Sequence, residues 1–172
     1  MARNIEIKAR IENVTAIVAQ VAALADGGPI EIIQDDTFFS CPNGRMKLRT
    51  LSATQGELIF YRRSDCAGPK ESFYLISATT APGTLREILS SGYGQVGRVR
   101  KHRTLFLVGR TRIHIDQVEN LGDFIELEVV LADAEGADSG EAIARDLMKK
   151  LGISSNQLCE GAYIDLLALE CS

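Results

Sequence analysis

Polar and apolar residues alternate strictly over residues 4–10, the segment NIEIKAR near the start of the chain. In an extended strand this alternation places Asn4, Glu6, Lys8 and Arg10 on one face and the apolar side chains on the other. The alternation returns in later segments, where Lys, Arg, Asp or Glu occupy one face and Ile, Leu, Val or Phe the other. The pattern predicts several strands that each combine a charged face with an apolar face.

Four other segments repeat apolar residues every three or four positions, the spacing of a helix with one buried face. Capping and stop residues bound them, with Asn13 or Thr15 before the first helix and Gly152 after the third. The predicted helices run from that first cap to residue 25, from 82 or 84 to 91, from a cap at Ser139 to 152, and from 162 to 169.

Turn residues divide the remaining chain into short alternating runs, which are typical of antiparallel strands. Roughly eight strands with helices inserted between them predict an α+β fold on a largely antiparallel sheet that can close on itself. The length fits one domain over residues 1–172. The predicted strands are a first one ending near residue 12, a succession within 30–74, and four at 96–102, 105–108, 111–118 and 124–131.

The composition, with 45% hydrophobic residues, is that of a folded protein with a sizeable core. No stretch approaches the roughly 20 apolar residues of a membrane span. Charged residues at positions 3, 6, 8 and 10 interrupt any apolar core of a signal peptide. We therefore expect a cytoplasmic protein with no membrane partner. The net charge of −4 argues against a nucleic-acid partner.

The four cysteines are scattered through the chain, at positions 41, 66, 159 and 171. They form no CxxC pair, and no histidine lies at metal-ligand spacing from them. We therefore expect reduced thiols rather than a zinc site or a disulfide framework.

If the sheet closes, the charged strand faces converge on one interior and can form a binding or catalytic site there. So many like charges would be costly to bury without a polyanion such as a phosphate chain, bound by Arg forks and Lys point charges. The acidic side chains would then hold a divalent cation such as Mg²⁺, which prefers oxygen ligands. The predicted interior cations are Lys8, Arg10, Lys47, Arg49, Arg62 or Arg63, Lys70, Lys101, Arg103 and Arg112, and the predicted interior acids are Glu6, Asp116, Glu126 and Glu128.

The alternative is that these faces are exposed to solvent, where alternating charges form weak cross-strand ion pairs. The distribution of charge along the chain opposes it. Cations stand alone in several segments, while residues 124–130 carry Glu126 and Glu128 between apolar side chains. This segregation favours a charged interior.

Several blocks of the chain resemble the CYTH superfamily, also called triphosphate tunnel metalloenzymes, in the expected order. Residues 4–8 resemble its ExExK signature, with Asn4 in place of the first Glu. An amide oxygen can still face a cation or its water shell, but the replacement removes a negative charge. The other resembling blocks are residues 44–49, 58–63 followed by Asp65 and 68–70, 101–103, 112–116, 121–128 and 160–167.

The resemblance implies an eight-stranded closed antiparallel β-barrel with flanking helices, whose tunnel binds a triphosphate. It implies Mg²⁺ or Mn²⁺ held by Glu6, Asp116, Glu126 and Glu128, and it favours Arg63 over Arg62 as the interior arginine. Catalytic roles would fall to Lys8, Arg103 and Asp116, with Asp116 a metal ligand or a group that orients the nucleophile. The implied phosphate-binding residues are Lys8, Lys47, Arg49, Arg63, Lys101 and Arg103, with Arg10, Lys70 and Arg112 as further candidates.

Within this family the blocks look closer to the class IV adenylyl cyclase-like branch, which converts ATP to cyclic AMP and pyrophosphate, than to animal thiamine triphosphatases. An inorganic or thiamine triphosphatase is the alternative, because water attack on the terminal phosphorus needs the same cations. A non-catalytic module that binds polyphosphate or nucleotides is a third reading, supported by Asn4. The expected partner is a small-molecule triphosphate. A homodimer is expected because relatives are commonly dimers.

Three further side chains have expected positions. His114 lies in register with Arg112 and Asp116, and we expect a hydrogen-bonded barrel histidine rather than a catalytic base. His102 alternates out of register with its cationic neighbours and should face outward. Tyr163 is expected to pack a helix rather than to contact substrate.

Overall fold

The structure, a computed structural model, describes residues 2–64 and 67–171, so Asp65 and Cys66 lie outside the described residues. Over these residues the chain forms eight strands, four α-helices and one short 3₁₀ helix. In chain order they are β1 (Ala2–Arg10), α1 (Val14–Leu24), β2 (Gly27–Phe39), β3 (Arg45–Ser52), β4 (Gln55–Arg63), β5 (Lys70–Thr79), α2 (Pro82–Tyr93), β6 (Gln95–Val108), β7 (Thr111–Val118), β8 (Gly122–Val130), α3 (Ala137–Lys150), the 3₁₀ helix (Ser155–Gln157) and α4 (Tyr163–Glu170).

The eight strands close into an antiparallel barrel in the order β1-β5-β4-β3-β2-β6-β7-β8, and β8 pairs back onto β1. This confirms the predicted fold class. Because side chains alternate along each strand, every strand sends one set of residues into the barrel and the other set outward.

The largest apolar cluster lies outside the barrel, where β1, β7 and β8 are covered by helices. Ile7 and Leu127 are among its fully buried strand residues, with Val21 from α1 and Leu147 from α3 packed in the same cluster. Burial of this outer face supplies the hydrophobic stabilisation that a small barrel would ordinarily draw from its interior. The interior is therefore free to carry charge.

One end of the barrel is closed by the segment that leads into α4. Leu158 bridges to Ala9 of β1, and Tyr163, the first residue of α4, is buried. Tyr163 packs in a second apolar cluster with Phe38, Tyr61 and neighbouring side chains. The C-terminal helix thus places an aromatic ring at the inner end of the tunnel.

Helix and strand boundaries differ from the sequence prediction at a few places. Asn13 caps α1 as predicted, its side chain accepting from the Ala16 amide at 3.0 Å. The predicted cap at Ser139 is wrong, since α3 begins at Ala137 with Gly136 as its N-cap. β1 ends at Arg10 rather than near residue 12.

The predicted break between residues 102 and 105 is also wrong, because β6 runs through it. Arg103 and Thr104 pair with β2 on one side and with β7 on the other, so the ladder on both edges keeps the strand continuous.

No helix within the described parts of the chain is long and apolar enough to cross a membrane. Cys41, Cys159 and Cys171 are free thiols, as expected.

Candidate functional site

The barrel encloses a cavity of about 300 Å³, lined by residues from all eight strands and from the start of α4. Seven cationic and five acidic side chains line it. The cations are Lys8, Lys47, Arg49, Arg63, Lys101, Arg103 and Arg112, and the acids are Glu6, Asp36, Glu57, Glu126 and Glu128. The charged strand faces therefore converge on one interior. The excess of cations is smaller than predicted because Asp36 and Glu57 line the cavity and Arg10 and Lys70 do not.

Two of the predicted interior cations do not line the main cavity. The Arg10 guanidinium lies over the Phe124 ring, donates to the Leu121 carbonyl at 3.2 Å and pairs with Glu170 at 3.3 Å. It is half exposed beyond the cavity. Lys70 is buried in a small adjoining hollow that Glu6 also lines. Their predicted phosphate contacts would need a ligand that extends past the main cavity.

Of the two neighbouring arginines of β4, the one that faces the barrel interior is the one that the family resemblance favours. Arg63 lines the cavity, whereas Arg62 is exposed on the outer face. Arg63 pairs with Glu6 and donates to the Gly161 carbonyl at 3.0 Å. Lys8 donates to the same carbonyl at 3.1 Å. The segment before α4 thus fixes two cations at the closed end of the tunnel.

β7 and β8 bring together a compact set of metal-binding groups, His114, Glu126 and Glu128, whose ligating atoms all lie within 4.8 Å of one another. Glu126 pairs with Lys8 at 3.3 Å and with Arg103 at 2.7 Å. Carboxylate oxygens are suitable ligands for Mg²⁺ or Mn²⁺. Two of the four predicted metal ligands therefore belong to a donor set that fits a divalent ion.

The ionisation of this set suits cation binding. Burial by itself would raise the pKa of Glu126, but the charge of Lys8, the adjacent His114 and the charge of Arg103 outweigh it and hold that pKa well below its ordinary value. Burial also lowers the pKa of Lys8 to about 8, with the Glu126 charge opposing the shift. At neutral pH the site therefore contains an ionised carboxylate next to a largely protonated amine.

The other two predicted metal ligands lie apart from this set. Glu6 faces Glu128 across the β1–β8 ladder and is engaged by Arg63. Asp116 is fully buried and is not among the cavity-lining residues. The predicted ligand roles of Glu6 and Asp116 remain predictions.

Asp116 lies inside the barrel, beneath the side chains that line the cavity, and accepts hydrogen bonds from two of them. Its carboxylate accepts two hydrogen bonds from Arg103, both at 2.6 Å, and one from the Tyr163 hydroxyl at 2.8 Å. Lys101 lies 3.6 Å away. Burial would raise the pKa of Asp116, but Arg103 and Lys101 bring it below its ordinary value. Asp116 is thus an ionised anchor for Arg103.

Asp36 forms a similar anchor that the sequence analysis missed. It accepts from Lys47 at 2.8 Å and from two nitrogens of Arg49 at 2.9 Å. Burial lowers the pKa of Lys47 to about 7, although Asp36 opposes that shift. The signal was the alternation of Gln34, Asp36 and Phe38 in β2, but the adjacent Asp35 left the inward register undecided.

An apolar and aromatic stretch of the lining was also missed. Two of its rings lie near Lys47, whose amine is 5.6 Å from the Phe38 ring centroid and 5.7 Å from that of Tyr61. Such positions allow cation–π attraction. The residues that form this stretch are Ile32, Phe38, Ile59, Tyr61, Tyr74, Ile76 and Val99.

The histidines and Tyr163 depart in part from expectation. His102 is half exposed and pairs outside the barrel with Glu31, as expected. His114 faces the cavity, but its Nδ1 atom makes no hydrogen bond. Tyr163 both packs in a core cluster and lines the cavity, where its ring lies 4.0 Å from the Lys8 amine.

Comparison with known proteins identifies a protein family whose model matches this chain. A model of the CYTH domain matches residues 2–163. Adenylate cyclase CyaB of Aeromonas hydrophila is 28% identical over 167 residues, covering 92% of this chain and 85% of that protein.

Solved structures share the fold. A protein from Pyrococcus horikoshii OT3 superposes with a TM-score of 0.84 at 23% identity, covering 95% of this chain and 99% of that one. A Hippeastrum protein superposes with a TM-score of 0.69 at 15% identity, covering 97% of this chain and 96% of that one. The barrel and its helices are therefore a recurring architecture.

Proposed function

Because the chain belongs to the CYTH domain family, we propose that it is an enzyme that processes a triphosphate in its barrel cavity with a divalent metal ion. The observation that carries the proposal is the set of seven cations that line one closed interior. A solvent-exposed sheet face would not need to gather them, and buried cations in excess over the five acids of the same cavity call for an anionic ligand.

The cations are held in place before any ligand arrives. Arg103 is fixed by Asp116, and Lys47 and Arg49 by Asp36, through buried hydrogen bonds of 2.6–2.9 Å. A phosphate chain that enters the cavity would meet preorganised Arg forks and Lys amines. Asp116 would thus act as a positioning residue for Arg103 rather than in contact with the reacting atoms.

Glu126 and Glu128 would hold the metal ion, which when bound would neutralise phosphate charge and orient the nucleophile. Lys8 and Arg103 both contact Glu126. They are therefore placed to bind phosphate oxygens next to that carboxylate. Their charges would stabilise the negative charge that develops on the leaving oxygens.

The finer proposal is a class IV adenylyl cyclase-like reaction. In it the ribose 3′-oxygen of ATP bonds to the α-phosphorus, the bond from that phosphorus to the bridging oxygen breaks, and pyrophosphate leaves. The hydroxyl proton passes to solvent water during this attack. Similarity to Adenylate cyclase CyaB along most of the chain supports this choice. The apolar stretch of the lining also suits an organic head group better than an inorganic chain.

A triphosphatase is the second candidate, because water attack on the terminal phosphorus would use the same cations. The Hippeastrum protein of the same fold is described as having a dominant triphosphatase activity. The two reactions differ in their nucleophile and in their products, so product analysis separates them.

The test is to incubate the protein with ATP, thiamine triphosphate or tripolyphosphate, each with Mg²⁺ or Mn²⁺, and to identify products by mass spectrometry. Cyclic AMP with pyrophosphate supports the cyclase, and orthophosphate supports the triphosphatase. Tripolyphosphate binding without turnover would leave a non-catalytic binding module.

A matched pair of variants ties turnover to the cavity. Lys101→Met removes a buried cavity amine, while Arg100→Met alters the exposed neighbour that pairs with Glu119. We expect turnover to fall by about 10-fold or more in Lys101→Met, as for loss of a charge-assisted hydrogen bond. Equal turnover in the two variants would argue against a reaction in the cavity.

A further inference from the structure

We propose that His114 is a direct ligand of the divalent ion through its Nδ1 atom, together with Glu126 and Glu128, and that this imidazole makes the site select Mn²⁺ over Mg²⁺. The inference rests on the proposed function, because it concerns the ion of the same site. The inference goes beyond the proposed function because it names a nitrogen ligand and the class of metal.

The strand pairing brings the three side chains together. His114 stands directly opposite Glu126 in the β7–β8 ladder, and Glu128 is the next inward residue of β8. The Nδ1 atom lies 3.6 Å from Glu128 Oε1 and 3.8 Å from Glu126 Oε2. Ligands about 2.1 Å from one ion are separated by about 3.0 Å at right angles and about 4.2 Å when opposite. Both distances fall within that range.

The Nδ1 atom of His114 is an unpaired polar atom in a buried position. The residue is 5% exposed, and its Nδ1 has no hydrogen-bond partner. The two carboxylate contacts are longer than a hydrogen bond, and much longer than a charge-assisted bond between a protonated imidazole and a carboxylate. Buried polar atoms are nearly always satisfied, so this nitrogen calls for a partner.

The neighbouring charges explain why the partner would be a cation bound through nitrogen. Arg112 lies 3.0 Å from Glu128 Oε2 and so leaves Oε1 on the side of His114. Asn4 lines the same cavity in the place where the family signature has a Glu, so the site has one negative charge fewer. A neutral imidazole adds a strong donor without adding charge.

The ligand type predicts the metal. Mn²⁺ accepts carboxylate ligands as Mg²⁺ does, but as a first-row transition ion it also binds imidazole nitrogen, whereas Mg²⁺ is bound by oxygen and usually keeps several waters. A mixed set of one nitrogen and two carboxylates therefore favours Mn²⁺ over Mg²⁺.

The two-histidine composition of the chain allows a decisive spectroscopic test. The 172-residue chain is loaded with Mn²⁺, alone and with tripolyphosphate, and nitrogen coupling to the ion is measured by pulsed electron paramagnetic resonance. The His102→Gln variant retains His114 as its single histidine, and His102 lies outside the barrel. We expect nitrogen coupling in the wild type and in His102→Gln, with the isotope shift when histidine is labelled with ¹⁵N.

Affinity provides the second readout. In His114→Gln we expect the nitrogen coupling to vanish and Mn²⁺ to bind about 10-fold more weakly or worse, since even outer partners of metal ligands contribute 10- to 100-fold. Mg²⁺ affinity should change by less than about threefold, because oxygen ligands dominate its binding. His102→Gln should match the wild type for both ions.

The outcomes distinguish the two proposals. Mn²⁺ bound in the wild type without nitrogen coupling would overturn the histidine ligand and leave the proposed function standing. No Mn²⁺ binding, with or without tripolyphosphate, would overturn metal-dependent function itself. If His114→Gln fails to fold, the ¹⁵N-labelled His102→Gln protein still decides, because its nitrogen coupling can come from no other histidine.

Discussion

Asp36 offers the sharpest test of how the cavity charges are balanced, and the substitution Asp36→Asn removes its charge while keeping its shape. The residue is 1% exposed and accepts one hydrogen bond from Lys47 and two from Arg49, all at 2.8–2.9 Å. Loss of one partner of a buried ion pair costs about 3–5 kcal/mol. Lys47 can relieve part of this cost by losing its proton, because burial already lowers its pKa to about 7. We therefore expect the free energy of unfolding to fall by about 3 kcal/mol.

The assay is urea unfolding followed by circular dichroism, with Asp35→Asn as the matched control. Asp35 is the adjacent residue of β2, but its carboxylate pairs with Arg98 near the surface. Pairs of that kind contribute about 1 kcal/mol or less. For a chain of this size, the loss in Asp36→Asn corresponds to a melting temperature lower by about 6–12 °C.

Tripolyphosphate adds a second signature to this prediction. Its oxygens would supply the negative charge that Asp36→Asn lacks, so the anion should stabilise this variant more than the wild type. Equal stability of Asp36→Asn and Asp35→Asn, with no greater effect of tripolyphosphate on the former, would refute the reasoning.

Three further predictions follow from the structure. Because burial lowers the pKa of Lys47 to about 7, tripolyphosphate affinity should be full below that pH and should fall above it, where binding requires proton uptake. Calorimetry between about pH 6 and pH 9 should show a flatter dependence of affinity on pH in Lys47→Met than in the wild type. The same dependence in both proteins would contradict this prediction. Glu128→Gln should weaken Mn²⁺ binding by about 10-fold or more with the fold retained, and wild-type affinity in a Mn²⁺ titration would remove Glu128 from the metal site. Gly140→Ala should lower the free energy of unfolding by about 1–3 kcal/mol, despite a helix propensity gain of about 1 kcal/mol. The reason is that the new Cβ would lie 2.6 Å from Ile5 Cγ1 and 2.7 Å from Leu131 Cδ2. If urea unfolding showed Gly140→Ala to be more stable than the wild type, α3 would be able to shift freely.

Strand alternation predicted the barrel and most of its interior because the side-chain period of a strand is fixed at two. Lys101 and Arg103 illustrate this, since both point into the cavity from β6 as their spacing requires. Alternation gives the face of a residue but not its position along the barrel axis. Arg10 and Asp116 each share a strand face with cavity residues. Arg10 nevertheless lies beyond the main cavity, and Asp116 lies beneath the side chains that line it.

Other features depend on contacts between distant segments of the chain. The periodicity of the sequence does not predict such contacts. The inward register of Asp36 follows from the pairing of β2 with β3 and β6, and both Asp35 and Asp36 suit a strand locally. α3 begins two residues before Ser139, and Gly140 in its first turns packs closely on Ile5 of β1, a contact that the local capping preference of Ser139 does not include. The proximity of His114 to Glu126 and Glu128 appears only when β7 and β8 are paired.

The most direct test of the central claim compares tripolyphosphate affinity, in the presence of Mn²⁺, between Arg63→Met and Arg62→Met. These adjacent residues of β4 face opposite sides of the barrel wall, with Arg63 in the cavity and Arg62 exposed. We expect Arg63→Met to bind at least about 10-fold more weakly, as for loss of a hydrogen bond to a charged group, with Arg62→Met close to the wild type and both folded by circular dichroism. Equal losses in the two variants, or a wild type that binds no tripolyphosphate, would contradict a triphosphate site inside the barrel.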